Sequence, residues 1–203
     1  MTSDHMRALH GYVHESARQS LDGGGEFRMV ATIFSKIEGV KLSEGVESFF
    51  PLQVCLSRAL GVIRSSGGLL RQFIQDDKGL VLIYTFGLPT ATYEDNASRA
   101  IFTALGVCAA LGELGLRVRA GVTSGITFCG LVGSTNRCEY TVTGPSVNLG
   151  ARLMSMCESQ GVDLLVNDVI AEDIATGAYR WGSFTFDPLP QMRVKGYPPP
   201  PPP

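Results

Sequence analysis

The feature that most constrains the fold is GGLLRQFIQDDKGLVLIYTFGLP, two apolar extended runs meeting at Asp77-Lys78-Gly79. β-Branched and aromatic residues on both sides predict strands, and the glycine supplies the positive φ of a tight turn, so the segment is a β-hairpin. A strand and a helix precede it. FRMVATIFSKI has the composition of a buried strand, and residues 45–66 carry Phe49, Val54, Leu56, Leu60 and Ile63 at helical spacing. A helix and a strand follow it. Glu94 to Leu114 places Ala97, Ile101, Ala104, Leu105, Cys108 and Leu111 on one stripe, and RVRAGVTSG returns as a strand. The order strand-helix-strand-strand-helix-strand predicts an α+β fold, an α/β sandwich built on the ferredoxin-like split βαβ unit. Extra C-terminal elements are expected beyond it: EYTVTG as a strand, SVNLGARLMSMCES as a helix, VDLLVN as a strand, and residues 179–194 as a last hairpin.

With 203 residues, 44% of them hydrophobic, the chain suits one domain with a sizeable core. The expected organisation is a lead-in helix and glycine-rich link over 1–25, the domain over 26–197, and a polyproline tail over 198–203. Leu9, Tyr12, Val13 and Ala17 give the lead-in its apolar side, and His5, His10 and His14 read there as exposed helix residues. A net charge of -2, with no cluster of Lys and Arg, argues against a nucleic-acid partner. The apolar runs fall short of the roughly 20 residues a membrane helix needs, so no membrane span is expected. Five cysteines lack a CxxC pair or a nearby His, which argues against zinc. The odd number, with no signal-peptide pattern, predicts a cytoplasmic (intracellular) chain whose free thiols act as buried small hydrophobes.

From Arg117 the sequence runs RVRAGVTSGITFCGLVGSTNRCEYTVTGPSVNLGARL. This run resembles the class III nucleotidyl cyclase homology domain, with its V-R-x-G strand, G-x-V-x-x-G-x-x-G, Y-T-V-x-G and V-N-x-A-x-R-L. The likeness extends over about residues 9–197, taking in the GG before the hairpin, the FGLP exit and a late V-K-G. Within the family it looks most like the second cyclase half of soluble, bicarbonate-responsive adenylyl cyclases, which share the D-K-G hairpin, SGI-x-FCG-x-VG and EYTV-x-G. The resemblance implies two homologous halves joined head to tail, with a nucleoside triphosphate between them. One half holds magnesium or manganese through two aspartates. The other selects the base and stabilises charge.

Asn148 and Arg152 stand four apart behind Gly144-Pro145, so on a helix they share a face and can reach one ligand. The resemblance implies that Asn148 orients the ribose and Arg152 meets the negative charge developing on the phosphate. A guanidinium suits that task, being always protonated and offering a planar fork of donors. The residues alone also allow Asn148 as a helix cap before Leu149 and Arg152 as a solvated charge. Thr141 falls where the family sets base specificity, and a threonine there points to adenine; as a bare residue it is a β-former. Its companion position in G-G-x-x-x-K holds Gln72, whose amide can read either purine edge, leaving ATP and GTP both open. Lys195, in the late V-K-G, is either a phosphate contact or a surface lysine.

The family's first metal aspartate lies in F-x-D-I-x-G, and the corresponding run Phe34-Ser35-Lys36-Ile37-Glu38-Gly39 has Lys36 in its place. An ammonium has no lone pair for a cation and repels it. Asp76 aligns with the second aspartate, and with Asp77 it also suits hairpin turn chemistry. Glu38 shares a strand face with Lys36, which leaves either a swapped ligand or a local ion pair. The glycines of SGITFCGLVGS lack a GK[ST] ending, which rejects a P-loop and leaves turn and packing roles.

With these residues in place, the resemblance implies the base and arginine side of an adenylyl cyclase, converting ATP to cyclic AMP and pyrophosphate. It would be inactive as a homodimer and completed by a partner half that holds the Mg2+ or Mn2+. Bicarbonate is the effector the resemblance adds. A regulatory pseudocyclase and a guanylyl cyclase half are the competing readings.

Overall fold

The computed structural model describes residues 24–40, 49–76, 79–89, 91–134, 137–177 and 184–190. The expected lead-in helix, the three histidines, Lys195 and the polyproline tail lie outside the described residues. In chain order the elements are β1 (Glu26–Glu38), α1 (Phe49–Ser65), β2 (Leu69–Asp76), β3 (Gly79–Phe86), α2 (Asn96–Gly112), β4 (Arg117–Ser134), β5 (Arg137–Thr143), α3 (Pro145–Gln160), β6 (Leu164–Val166) and α4 (Asp168–Thr176). The strands form one six-stranded sheet in the order β2-β3-β1-β4-β5, with β6 parallel to β4. That order is the split βαβ unit expected from the sequence. Gly79 closes the β2–β3 hairpin at φ +119°, a conformation that only glycine adopts without strain.

Alternation along the strands separates two faces. Ile33 and Ile37 of β1 and Leu80, Leu82, Tyr84 and Phe86 of β3 pack against α1, through Cys55, Ala59 and Ile63, and against α2, through Ala97, Ile101, Ala104 and Leu111. Each large side chain buried there contributes about 1.5–3 kcal/mol relative to exposure. Inside this core the hydroxyls of Ser35 and Tyr84 hydrogen-bond at 2.9 Å. The opposite face receives α3, which runs close beneath β4 and β1: a side chain added at Gly150 would meet the Phe34 ring at 3.0 Å.

Three expectations need correction. Residues 184–190, inside the expected last hairpin, form no strand; Pro188 and Pro190 have no N–H to give a ladder, while Phe184 and Phe186 pack against the main core. The remainder of that hairpin lies outside the described residues. The glycine-rich run after Gly125 makes no turn but continues β4 to Ser134. Its glycines serve close packing, since a Cβ at Gly125 would strike Ser146 and one at Gly130 would strike Gly25. Cys138 is exposed, unlike the buried Cys55, Cys129 and Cys157. One element was not anticipated. The short helix α4 starts at the N-cap Asn167, whose side chain accepts from the Ile170 amide at 3.3 Å and also bonds the Ser124 backbone in both directions, at 3.1 and 3.0 Å.

Candidate nucleotide site and a charge-reversed metal position

Pro145 occupies the first position of α3, where a missing N–H costs nothing and the fixed φ favours the helix. The first turn is then pinned to β4. The Thr123 hydroxyl donates to the Ser146 carbonyl at 2.9 Å, and the Thr127 and Ser146 hydroxyls share a hydrogen bond at 3.1 Å. Further along, the Cys157 thiol donates to the Ala120 carbonyl at 3.3 Å, and Leu153, Cys157 and Leu165 form a small core beneath the helix. Gly121 and Gly150 permit this approach, because a Cβ on Gly121 would run into the Gly150 carbonyl and the Met154 amide.

Asn148 and Arg152 ride on this anchored helix one turn apart, Asn148 exposed and Arg152 half-buried. The reading of Asn148 as a cap is wrong. The helix begins at Pro145 with Gly144 as N-cap and no side-chain cap bond, and the Asn148 amide already donates to the Gly144 carbonyl at 3.3 Å. The Asn148 side chain is therefore not committed to the helix end.

Gln72 and Thr141 lie on β2 and β5, the two ends of the strand order. They are nevertheless linked through neighbours. The pairing of β2 with β3 shifts between Leu70 and Gln72, a bulge that sets Arg71 out of the ladder. Arg71 reaches across to Glu139 of β5 at 3.0 Å. Behind this bridge Leu69 of β2 and Tyr140 and Val142 of β5 share one cluster with Val30, Leu88 and Cys129. Thus β5 curls back towards β2, drawing together the strands that carry Gln72 and Thr141. Burial pushes the Tyr140 hydroxyl up to about 12, and this hydroxyl has no hydrogen-bond partner among the described residues.

Lys36 lies in β1 directly opposite Val81 of β3 and Arg119 of β4. Its ammonium is 3.2 Å from Glu38, which resolves that carboxylate as an ion-pair partner. The same Glu38 oxygen accepts from Arg119. Lys36 also reaches the hairpin end, its Cε lying 3.8 Å from where a Cβ on Gly79 would stand. Asp76 pairs with Gly79 across the turn. A divalent ion does not fit here. The nearest carboxylate on β1 is already shared by two cations, and among the described residues no group of three or more His, Cys, Asp or Glu could hold a metal.

Sequence reasoning missed Arg71, Glu139 and Arg119 as partners in these arrangements. Arg119 carried a usable signal, a charge flanked by the apolar Val118 and Ala120 in a strand. The Arg71–Glu139 contact carried none, because a bulge and the curl of the sheet create it.

Residues 84–198, more than half of the chain, match the family model described as the adenylate and guanylate cyclase catalytic domain. Adenylate cyclase type 10 of Homo sapiens is 28% identical over 93% of this chain and 12% of its own length. The Oryctolagus cuniculus protein of that name is 30% identical over 72% of this chain and 10% of its own length. The chain thus spans about a tenth of the length of these two relatives. A solved bacterial light-regulated adenylyl cyclase superposes with a TM-score of 0.70 at 19% identity, over 84% of this chain and 54% of that one, a likeness of fold. No helix among the described residues is long and apolar enough to cross a membrane. Fold, motif order and family match agree, and the chain belongs to the class III adenylyl and guanylyl cyclase catalytic-domain family.

Proposed function

We propose that this chain is the base-selecting, charge-stabilising half of an adenylyl cyclase, completed by a partner half that carries the metal aspartates. Catalytic domains of this family act as dimers that bind nucleotide, and they use divalent metals. The observation that carries the proposal is the contrast within one chain: Asn148 and Arg152 lie one turn apart on the anchored helix α3, while Lys36, at the position the family motif gives to a metal carboxylate, is ion-paired with Glu38. The reaction is attack of the ribose 3′ oxygen on the α-phosphorus, forming the cyclic ester as the bond to pyrophosphate breaks. Asn148 holds the ribose, Arg152 receives the charge gathering on the phosphate, and Thr141 with Gln72 faces the base. Lys195 would reach the triphosphate. The ion belongs to the partner half, and bicarbonate is the candidate effector of the assembled pair in an intracellular setting.

The test is to mix the purified chain with a cyclase half holding both aspartates and to measure cyclic AMP from ATP with magnesium or manganese. The pair is expected to turn over and the chain alone is not. Activity of the chain by itself would end the proposal. GTP in the same assay decides what Gln72 leaves open, and a GTP preference would make the chain a guanylyl cyclase half. Lys36, ion-paired with Glu38, also favours a second reading, a regulatory module without turnover, which gains if several competent partner halves yield no product.

A further inference from the structure

The charge reversal at Lys36 has a structural counterpart on the neighbouring strand. Arg119 is directly across from Lys36 in the β1–β4 register, so two cations occupy one cross-strand pair on the face that α3 covers. Like charges in such a pair destabilise a sheet, and the Arg119 side chain is only 9% exposed. Its Nε is buried without a partner among the described residues, so the ends of the guanidinium must supply the compensation. They do so through two carboxylates. Glu38, two residues after Lys36 and on the same face, accepts from Arg119 and ion-pairs with Lys36 through the same oxygen. Glu158, in the last turn of α3, lies 3.8 Å from the other end of the guanidinium with its side chain 69% exposed, so it is the weaker, outer contact.

We propose that Lys36, Glu38, Arg119 and Glu158 form an interlock that fastens α3 to β1 and β4 at the position where the family binds a metal ion, so that this position excludes the ion. The charges sum to zero, two cations against two carboxylates, and leave no uncommitted carboxylate among these four residues for Mg2+. Because α3 also presents Asn148 and Arg152, Glu38 and Arg119 are positioning residues for that pair. This last consequence rests on the proposed function. The interlock itself rests on the geometry and on the family membership.

Hydrogen exchange of the α3 amides in the whole chain, followed by mass spectrometry, is the direct test. Glu38→Gln leaves a buried guanidinium facing an ammonium, and the amides of residues 145–160 are expected to exchange on the order of a hundredfold faster. Combining Glu38→Gln with Lys36→Met removes the facing ammonium and should restore part of the protection, the guanidinium still lacking the Glu38 carboxylate. Unchanged α3 exchange in Glu38→Gln, or no recovery in the double variant, overturns the interlock. Should Glu38→Gln fail to fold, Glu158→Gln touches only the outer end of the chain of charges. It should speed exchange in the last turns of α3 alone, and no effect there counts against the proposal. A Mn2+ titration read by electron paramagnetic resonance should show no uptake by the unaltered chain. Stoichiometric binding lost in Glu38→Gln would refute the exclusion. Neither measurement needs a partner half or nucleotide, so their failure leaves the proposed function standing, and the reverse also holds. Where the mixed assay gives product, Glu38→Gln should lower kcat roughly tenfold with little change in KM, and the added Lys36→Met should recover part of it.

Discussion

Two ends of one helix-covered sheet face carry opposite kinds of polarity. At the start of α3, Asn148 is exposed and its side chain plays no part in capping the helix, whereas at its end Arg119, Glu38, Lys36 and Glu158 neutralise one another. The scaffold beneath both is the same: β4 supports the whole helix, with Thr123 and Thr127 anchoring one end and Ala120 meeting the other through Cys157. The difference therefore lies in side-chain charge and not in backbone. One sheet face can thus carry an exposed polar side chain at one end and a neutralised charge cluster at the other, because Glu38 lies within reach of both Lys36 and Arg119.

The comparison breaks most readily at the open end. Arg152→Ala should reduce cyclic AMP formation in the mixed assay by on the order of a hundredfold to a thousandfold, the typical loss of a preorganised donor to developing charge. Arg152→Lys should restore little, since an ammonium lacks the planar fork. Equal activity of Arg152→Ala and the unaltered chain would show that the open end is not a working surface.

The support common to both ends comes next. Gly121→Ala drives a methyl group into the Gly150 carbonyl and the Met154 amide, where backbone cannot yield as a flexible side chain does. A loss of about 3 kcal/mol in denaturant unfolding is expected, with α3 amides losing protection before those of α1 and α2. Uniform loss across all helices would mean that α3 is not a separable layer.

Alkaline titration sharpens the picture of what lies beneath. Burial raises the thiols of Cys108, Cys129 and Cys157 from 9.0 to about 11. The folded state disfavours the thiolate, so this contribution to stability is complete below pH 9 and is lost as pH climbs through about 11. Unfolding midpoints should fall across that window, and iodoacetamide at neutral pH should label the exposed Cys138 well before the buried thiols.

How much of this was written in the sequence varies with the range of the interactions involved. Strands and helices of the split βαβ unit follow from residue periodicity, which is local, and the hairpin turn follows from Gly79. The faces of Asn148, Arg152, Lys36 and Glu38 were legible for the same reason. Arg119 beside Lys36 needed the β1–β4 register, and Glu158 needed the seating of α3, both non-local. The short α4 escaped because nine residues give too few turns for a period to show. In the expected final hairpin, the described residues 184–190 were overread, since aromatic residues predicted strand pairing where Phe184 and Phe186 only pack and prolines block a ladder.

The gentlest perturbation tests whether the curl that joins β2 to β5 depends on its surface ion pair. Glu139 is 71% exposed while Arg71 is largely covered, and an ion pair with one partner in water contributes less than about 1 kcal/mol. Glu139→Gln should therefore shift the unfolding free energy by under about 1 kcal/mol, because Leu69, Tyr140 and Val142 still hold the strands together through their shared cluster. The Tyr140 hydroxyl should stay buried, and its alkaline titration near 12 should stay in place, visible as an unmoved ultraviolet phenolate transition. A transition falling towards 10 in Glu139→Gln would mean that the ion pair, and not the apolar cluster, keeps β5 folded over β2.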